Sequence, residues 1–158
     1  MGLKNLLASD QMSLLNYPKI FYYSLSNNTN RYIKKLRNEN YKGEIVRLTE
    51  NYEIEKQDAP FVMIVPTYLV GATPDTTKEI YTEVEYDLLE AYDNYKNCIG
   101  IVGTGNKNFD WQYIWTAKHY CKEFNLPLLY DFEMAGMSRD VDNLIEIIHE
   151  LTKTKGEK

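Results

Sequence analysis

Phe61-Val62-Met63-Ile64-Val65 is an unbroken apolar run that ends at Pro66. Side chains along a strand point to opposite faces in turn, so a strand apolar at every position must be covered on both sides. A parallel sheet whose crossover helices pack on both faces meets that demand. The rest of the chain carries the matching pieces. Lys19–Ser24 (KIFYYS), Gly43–Leu48, Cys98–Thr104 (CIGIVGT) and Leu128–Phe132 are short apolar-rich runs bounded by turn residues, with Gly43–Leu48 expected nearer the sheet edge. Helical periods alternate with them. One runs from Asn28 or Thr29 to about Asn40, and a second near Val84–Tyr95 puts Val84, Leu88, Ala91, Tyr92 and Tyr95 on one face. Glu83, Asp87 and Glu90 fall on another face of that second helix, which reads as solvated. A third, Trp111–Phe124, carries a stripe of Ile114, Ala117, Cys121 and Phe124, and the last closes the chain through Val141, Leu144, Ile145, Ile148 and Leu151.

Strands alternating with helices predict an α/β fold, a three-layer sandwich around a five-stranded parallel sheet of order 2-1-3-4-5. The 158 residues suit one domain, expected over 19–153, with residues 1–18 as an N-terminal extension and 154–158 as a short polar tail. A net charge of −5 argues against a nucleic-acid partner, which would want a basic stripe. The longest apolar run is far too short to span a membrane. No secretory apolar region follows Lys4, so a cytoplasmic location is expected. Cys98 and Cys121 have no CxxC spacing, and His119 and His149 lie on different predicted helices, so no metal site is expected. No nucleophile–base pair stands out.

In a parallel sheet the loops that follow strands one, three and four lie at the same end, where ligands of such folds bind. The first loop is Ser24-Leu25-Ser26-Asn27-Asn28-Thr29-Asn30, crowded with hydroxyls and amides at the start of a helix. Backbone N–H groups there, with hydroxyl donors, suit a phosphate, although the same residues also serve simple capping and turning. It is not a Walker A loop, because no GK[ST] is present. The second loop, Pro66-Thr67-Tyr68-Leu69-Val70-Gly71-Ala72, offers an aromatic that could flank a flat ring or pack in an ordinary turn. The third, Gly103-Thr104-Gly105-Asn106-Lys107-Asn108-Phe109, combines glycines that let backbone approach a ligand with amides for the edge of a heterocycle and Phe109 for its face. Together the loops point to a phosphorylated planar ligand. FMN fits better than a dinucleotide, because only one phosphate nest is visible.

At these residues the chain resembles the NrdI family, flavodoxin-like FMN proteins that serve class Ib ribonucleotide reductase. The resemblance covers about Ile20 to Leu151. Its marks are Tyr23 to Thr29 (YSLSNNT), Pro66 to Tyr68 (PTY), Gly103 to Phe109 (GTGNKNF) and, most telling, Leu126 to Met137 (LPLLYDFEMAGM). Two positions depart from the family pattern: Asn27 stands where a glycine is usual, and Ala72 follows Gly71 where more glycine is common. Asn tolerates left-handed backbone, so the nest can survive.

The resemblance implies a redox accessory flavoprotein rather than an independent metabolic enzyme. Its reduced FMN, supplied with electrons by an unidentified flavin reductase, reacts with O₂ to give superoxide or peroxide. That oxidant activates the dimanganese–tyrosyl radical cofactor of the reductase small subunit. By the same resemblance, Ser24, Ser26, Asn27, Asn28 and Thr29 hold the phosphate. Thr67 joins them in the cofactor site, Tyr68 and Phe109 flank the ring, and Gly71, Gly103, Thr104, Gly105, Asn106 and Asn108 shape its polar edge. Lys107, with no acid before Asp110, predicts a flavin less strongly reducing than an acid-ringed one. Glu133 is expected to make a structural hydrogen bond rather than contact the flavin. The alternatives are an ordinary flavodoxin-type one-electron carrier, a phospho-acceptor receiver domain and a flavodoxin-like module without cofactor. The receiver reading is disfavoured because strand one ends in Tyr23-Ser24, not in paired aspartates.

Overall fold

The computed structural model describes residues 17–70, 78–79 and 83–156. The five-stranded parallel sheet comprises β1 (Lys19–Tyr22), β2 (Ile45–Arg47), β3 (Phe61–Pro66), β6 (Cys98–Gly105) and β7 (Leu128–Glu133), in the order β2-β1-β3-β6-β7. Counted within that sheet, this is the 2-1-3-4-5 order that the sequence predicts. The helices are α1 (Asn28–Asn38), α2 (Glu83–Glu90), α3 (Trp115–Phe124) and α4 (Ser138–Gly156). A small antiparallel ribbon, β4 (Leu69–Val70) with β5 (Lys78–Glu79), branches from the end of β3, in a stretch expected to be loop. Among the described residues no helix is long and apolar enough to cross a membrane.

The central strand does what its sequence demands. Val62 and Ile64 pack with Ile20, Val102, Tyr32 and Leu36 of α1, and Val141, Leu144 and Ile148 of α4. Phe61, Met63 and Val65 pack on the opposite face with Phe21, Ile101, Leu88 and Leu89 of α2, and Ala117 and Tyr120 of α3. Every residue of β3 is buried. Burial of each such side chain contributes about 1.5–3 kcal/mol, which secures the two helical layers to one strand.

Two helices are shorter than their periodicity predicts. The expected helix through Tyr95 ends at Glu90, and Tyr92 and Asp93 take left-handed backbone at φ 54° and 55°. Asn94 is the physical reason. It is 1% exposed, and its Nδ2 donates to Leu88 O at 2.9 Å and Glu55 O at 3.1 Å while its Oδ1 accepts from Gln57 N at 2.7 Å. Those bonds satisfy a helix-terminal carbonyl and anchor the 55–57 segment, so the chain turns inward at Asn94 and throws Tyr92 out to 65% exposure instead of onto the apolar face. The expected helix from Trp111 likewise begins only at Trp115, after a 3₁₀ turn over Lys107–Gln112 and a left-handed Ile114 at φ 48°.

All strands of the main sheet run the same way, so the segments after β1, β3, β6 and β7 gather at one end. β1 pairs with both β2 and β3, so successive strands are added on one side of β1 and then on the other. The opening beyond β1 and β3 is the switch point.

Candidate functional site

The first loop turns on Asn27, whose φ of 71° and ψ of −4° place it in the left-handed region. It is the N-cap of α1, yet its side chain caps no helix N–H; Asn27 Oδ1 accepts from Asn30 Nδ2 at 2.8 Å instead. The first helical bond is Arg31 N to Asn27 O at 3.2 Å, so the N–H groups of Asn28, Thr29 and Asn30 have no partner within the helix. No acidic side chain occupies the first turn. The end of α1 therefore keeps its full affinity for an anion.

Neighbouring donors gather at the same place. Leu25 N and Ser26 N donate to Tyr68 Oη at 2.9 and 3.1 Å, and Ser26 Oγ lies 3.3 Å from it. Ser24 is 5% exposed, and neither its buried Oγ nor the buried Oγ1 of the half-buried Thr67 has a hydrogen-bond partner among the described residues. Buried hydroxyls without partners are rare in folded proteins and call for an explanation. Arg47 Nη2 donates to Ser24 O at 3.1 Å. Burial raises the Tyr23 hydroxyl above its ordinary pKa, with the charges of Glu50, Tyr68 and Glu85 acting in the same direction.

The third loop is braced by β7 and the turn after it. Met134 N donates to Gly105 O at 2.9 Å, and Thr104 Oγ1 donates to Met134 O at 3.1 Å. Asn108 N donates to Asn106 Oδ1 at 2.9 Å, which closes an Asx turn. Glu133 Oε2 accepts from Lys107 N at 3.4 Å, and its Oε1 lies 3.9 Å from Lys107 Nζ. The charge of Lys107, which the local sequence leaves unopposed, is thus balanced from another strand. Tyr113 lies beneath this pair and donates to Asp131 Oδ1 at 2.8 Å; burial first, and then that bond, raise its pKa well above the ordinary tyrosine value.

The turn from Glu133 to Met137 is held in its turn by α1. Lys35 Nζ donates to Gly136 O at 2.6 Å and Ala135 O at 3.2 Å. Phe132 stacks on Tyr32 with ring centroids 3.9 Å apart. Gly136 has φ +68°, and a Cβ there would lie 2.8 Å from the Tyr32 ring. The Phe-Glu-x-x-Gly segment therefore joins α1 to the loop after β6.

Between these walls lies a cavity of about 370 Å³. Of the residues singled out in the sequence, Ser26, Asn28, Thr29, Thr67, Tyr68, Thr104, Gly105 and Asn106 line it. Asn27 shapes the loop without lining the cavity; Ser24, which is buried, and Asn108, which is exposed, do not line it either. Gly71 lies outside the described residues, as does the side chain of Phe109. Gly103 faces the helical layer: a Cβ there would meet Ala117 Cβ at 2.9 Å and Ile114 Cβ at 3.0 Å. Gln112, Pro66 and Met134 also line the cavity and were not anticipated. Met134 had a usable signal, because the fifth parallel strand must deliver its following turn to the same end of the sheet. Gln112 had none, since it arrives through an irregular 3₁₀ turn.

A doubly wound sheet in flavodoxin order, with a cavity at its switch point, defines a flavodoxin-like protein. Known proteins narrow this further. The model of the NrdI flavodoxin-like family matches residues 20–146. An NrdI-like protein of Streptococcus pyogenes serotype M18 is 38% identical over 137 residues, covering 82% of this chain and 90% of that protein. The protein NrdI of Mesoplasma florum is 32% identical over 134 residues, with 83% of each chain covered. Among solved structures, a short-chain flavodoxin associated with a non-canonical PDU bacterial microcompartment superimposes with a TM-score of 0.58 at 20% identity, covering 86% of this chain and 96% of its own. The chain belongs to the NrdI flavodoxin-like family. Membership implies flavin binding, a redox accessory role and an association with ribonucleotide reductase.

Proposed function

We propose that this protein binds FMN and, when reduced, activates the small subunit of a class Ib ribonucleotide reductase. The observation that carries the cofactor assignment is the convergence of Leu25 N and Ser26 N on one oxygen position beside the buried, partnerless Ser24 Oγ and Thr67 Oγ1. Such a donor set suits a phosphate and needs no lysine or arginine. Ser24, Ser26, Asn27, Asn28, Thr29 and Thr67 would hold that phosphate. Tyr68, Thr104, Gly105, Asn106, Pro66, Gln112 and Met134 would surround the rest of the flavin. Gly71, Gly103, Asn108 and Phe109 complete the expected set, with Gly103 acting through the packing of the loop it begins.

Bound FMN would take electrons from a flavin reductase and pass them to O₂, yielding superoxide or peroxide for the dimanganese site of the small subunit. The chain's own part is to bind and orient. The uncapped end of α1 attracts the anion, the N–H groups of Asn28, Thr29 and Asn30 have no partner within the helix, and the Glu133–Lys107 pair holds the third loop while keeping its net charge near zero. Exposed Leu25, Met134 and Met137 frame the cavity end of the sheet with apolar surface suited to a protein partner.

The test is an activation assay. FMN-loaded protein is reduced anaerobically, mixed with a manganese-loaded class Ib small subunit and exposed to O₂, and the tyrosyl radical is counted by electron paramagnetic resonance. A radical yield that scales with this protein is expected. FMN binding without radical would favour a flavodoxin-type one-electron carrier, and failure to bind FMN would remove the cofactor assignment altogether.

A further inference from the structure

Tyr68 Oη occupies the point on which the loop donors converge. It accepts from Leu25 N at 2.9 Å and from Ser26 N at 3.1 Å, with Ser26 Oγ at 3.3 Å. The phenol arrives from the far end of β3, 43 residues along the chain from Leu25, and its ring meets Tyr23 edge-on at 6.4 Å. It is thus a neutral oxygen seated among donors otherwise suited to an anion, and it also lines the cavity.

We infer that Tyr68 sets how strongly the site prefers a phosphorylated flavin over its unphosphorylated form, because its hydroxyl and a ligand phosphate compete for the same loop N–H groups. The inference rests on the flavin assignment above. A flavin without phosphate leaves Leu25 and Ser26 bonded to Tyr68. A flavin with phosphate must displace the hydroxyl, so its gain from the loop is reduced by two bonds already made. The phosphate is the stronger acceptor because its bonds to the loop N–H groups are charge-assisted, whereas those to the phenol oxygen are not. Two neutral hydrogen bonds at this solvent-accessible position correspond to about a tenfold weakening of phosphate binding.

Tyr68→Phe keeps the ring and deletes the competing oxygen. The full chain and the variant are titrated separately with FMN, riboflavin and inorganic phosphate. The expected result is an FMN dissociation constant about tenfold lower in the variant, a riboflavin constant changed by less than twofold, and tighter inorganic phosphate binding. An FMN constant that is unchanged, or that rises relative to riboflavin, overturns the inference; a rise would mean that the hydroxyl donates to the phosphate. If neither flavin binds either protein, the flavin assignment fails, and the phosphate titration still decides the competition: tighter binding by Tyr68→Phe supports it and equal binding refutes it. The wild-type protein gives a reading that needs no variant. Inorganic phosphate should shift the NMR signals of the Leu25 and Ser26 amides and the Tyr68 ring together. Amide shifts with an unmoved ring signal would refute displacement.

Discussion

Gly103→Ala tests whether this glycine serves the ligand or the fold. The sequence motif places Gly103 at the head of a cofactor loop, whereas in the folded chain its missing side chain faces α3. An added Cβ would lie 2.9 Å from Ala117 Cβ, 3.0 Å from Ile114 Cβ and 3.1 Å from Ile114 Cγ2, against ordinary contacts of 3.4–4 Å. Neither Cβ neighbour can rotate away, because each is fixed to its own backbone. Relief requires α3 to move outward by several tenths of an ångström. Overpacking of this kind destabilises by about 1–3 kcal/mol. Restricting the unfolded chain returns about 0.4–1 kcal/mol, since Gly103 is not in a left-handed conformation. The net expectation is about 1–2 kcal/mol, or a melting temperature lower by about 3–8 °C for a domain of this size. Flavin affinity, measured in the same preparation by fluorescence quenching well below the transition, should change by less than about threefold. Unaltered melting combined with a large loss of flavin binding would refute the packing argument and return Gly103 to the ligand.

Three further outcomes follow from buried bonds. Asn94→Ala leaves Leu88 O, Glu55 O and Gln57 N without their partner, so stability should fall by about 2–4 kcal/mol in urea unfolding; a loss below 1 kcal/mol would mean that water replaces the amide. Lys35→Met keeps the aliphatic stem but removes the bonds to Ala135 O and Gly136 O, so hydrogen exchange at the Gly136 amide should quicken and flavin affinity should drop several-fold; unchanged exchange would show that the turn needs no brace from α1. Burial raises the Tyr32 and Tyr41 hydroxyls far above their ordinary pKa, and they donate to Asp140 O and Pro18 O. An acid whose folded pKa is raised contributes stability that is whole below the unfolded value, about 10, and declines as pH rises above it. The protein should therefore lose stability above about pH 10, and Tyr41→Phe should blunt that slope; an equally steep slope in the variant would place the alkaline sensitivity elsewhere.

Much of the cavity lining was legible because it is carried by short contiguous segments. Ser26, Asn28 and Thr29 lie on one helix start, Thr67 and Tyr68 follow one strand, and Thr104 to Asn106 lie at the end of another; all line the cavity. The glycine-to-Asn27 departure was readable too, because the left-handed preference of Asn is a local property. Positions that depend on distant partners were not readable. Nothing near Lys107 in the chain announces Glu133, and nothing in the Val84–Tyr95 period announces that Asn94 will turn inward to meet Glu55 and Gln57.

What the sequence determined by itself was the layered α/β sheet and the end of it where the cavity opens. Local alternation decides which faces of a strand are apolar, and Phe61–Val65, apolar at every step, admits only a strand covered on both sides. What the tertiary structure decided was the work of individual atoms. Gly103 turned toward α3, Met134 was delivered to the cavity wall, and the Tyr68 hydroxyl reached the donors of Leu25 and Ser26. Periodicity is a property of neighbouring residues, whereas the seat of a hydroxyl is set by strands that meet only when the whole sheet has formed.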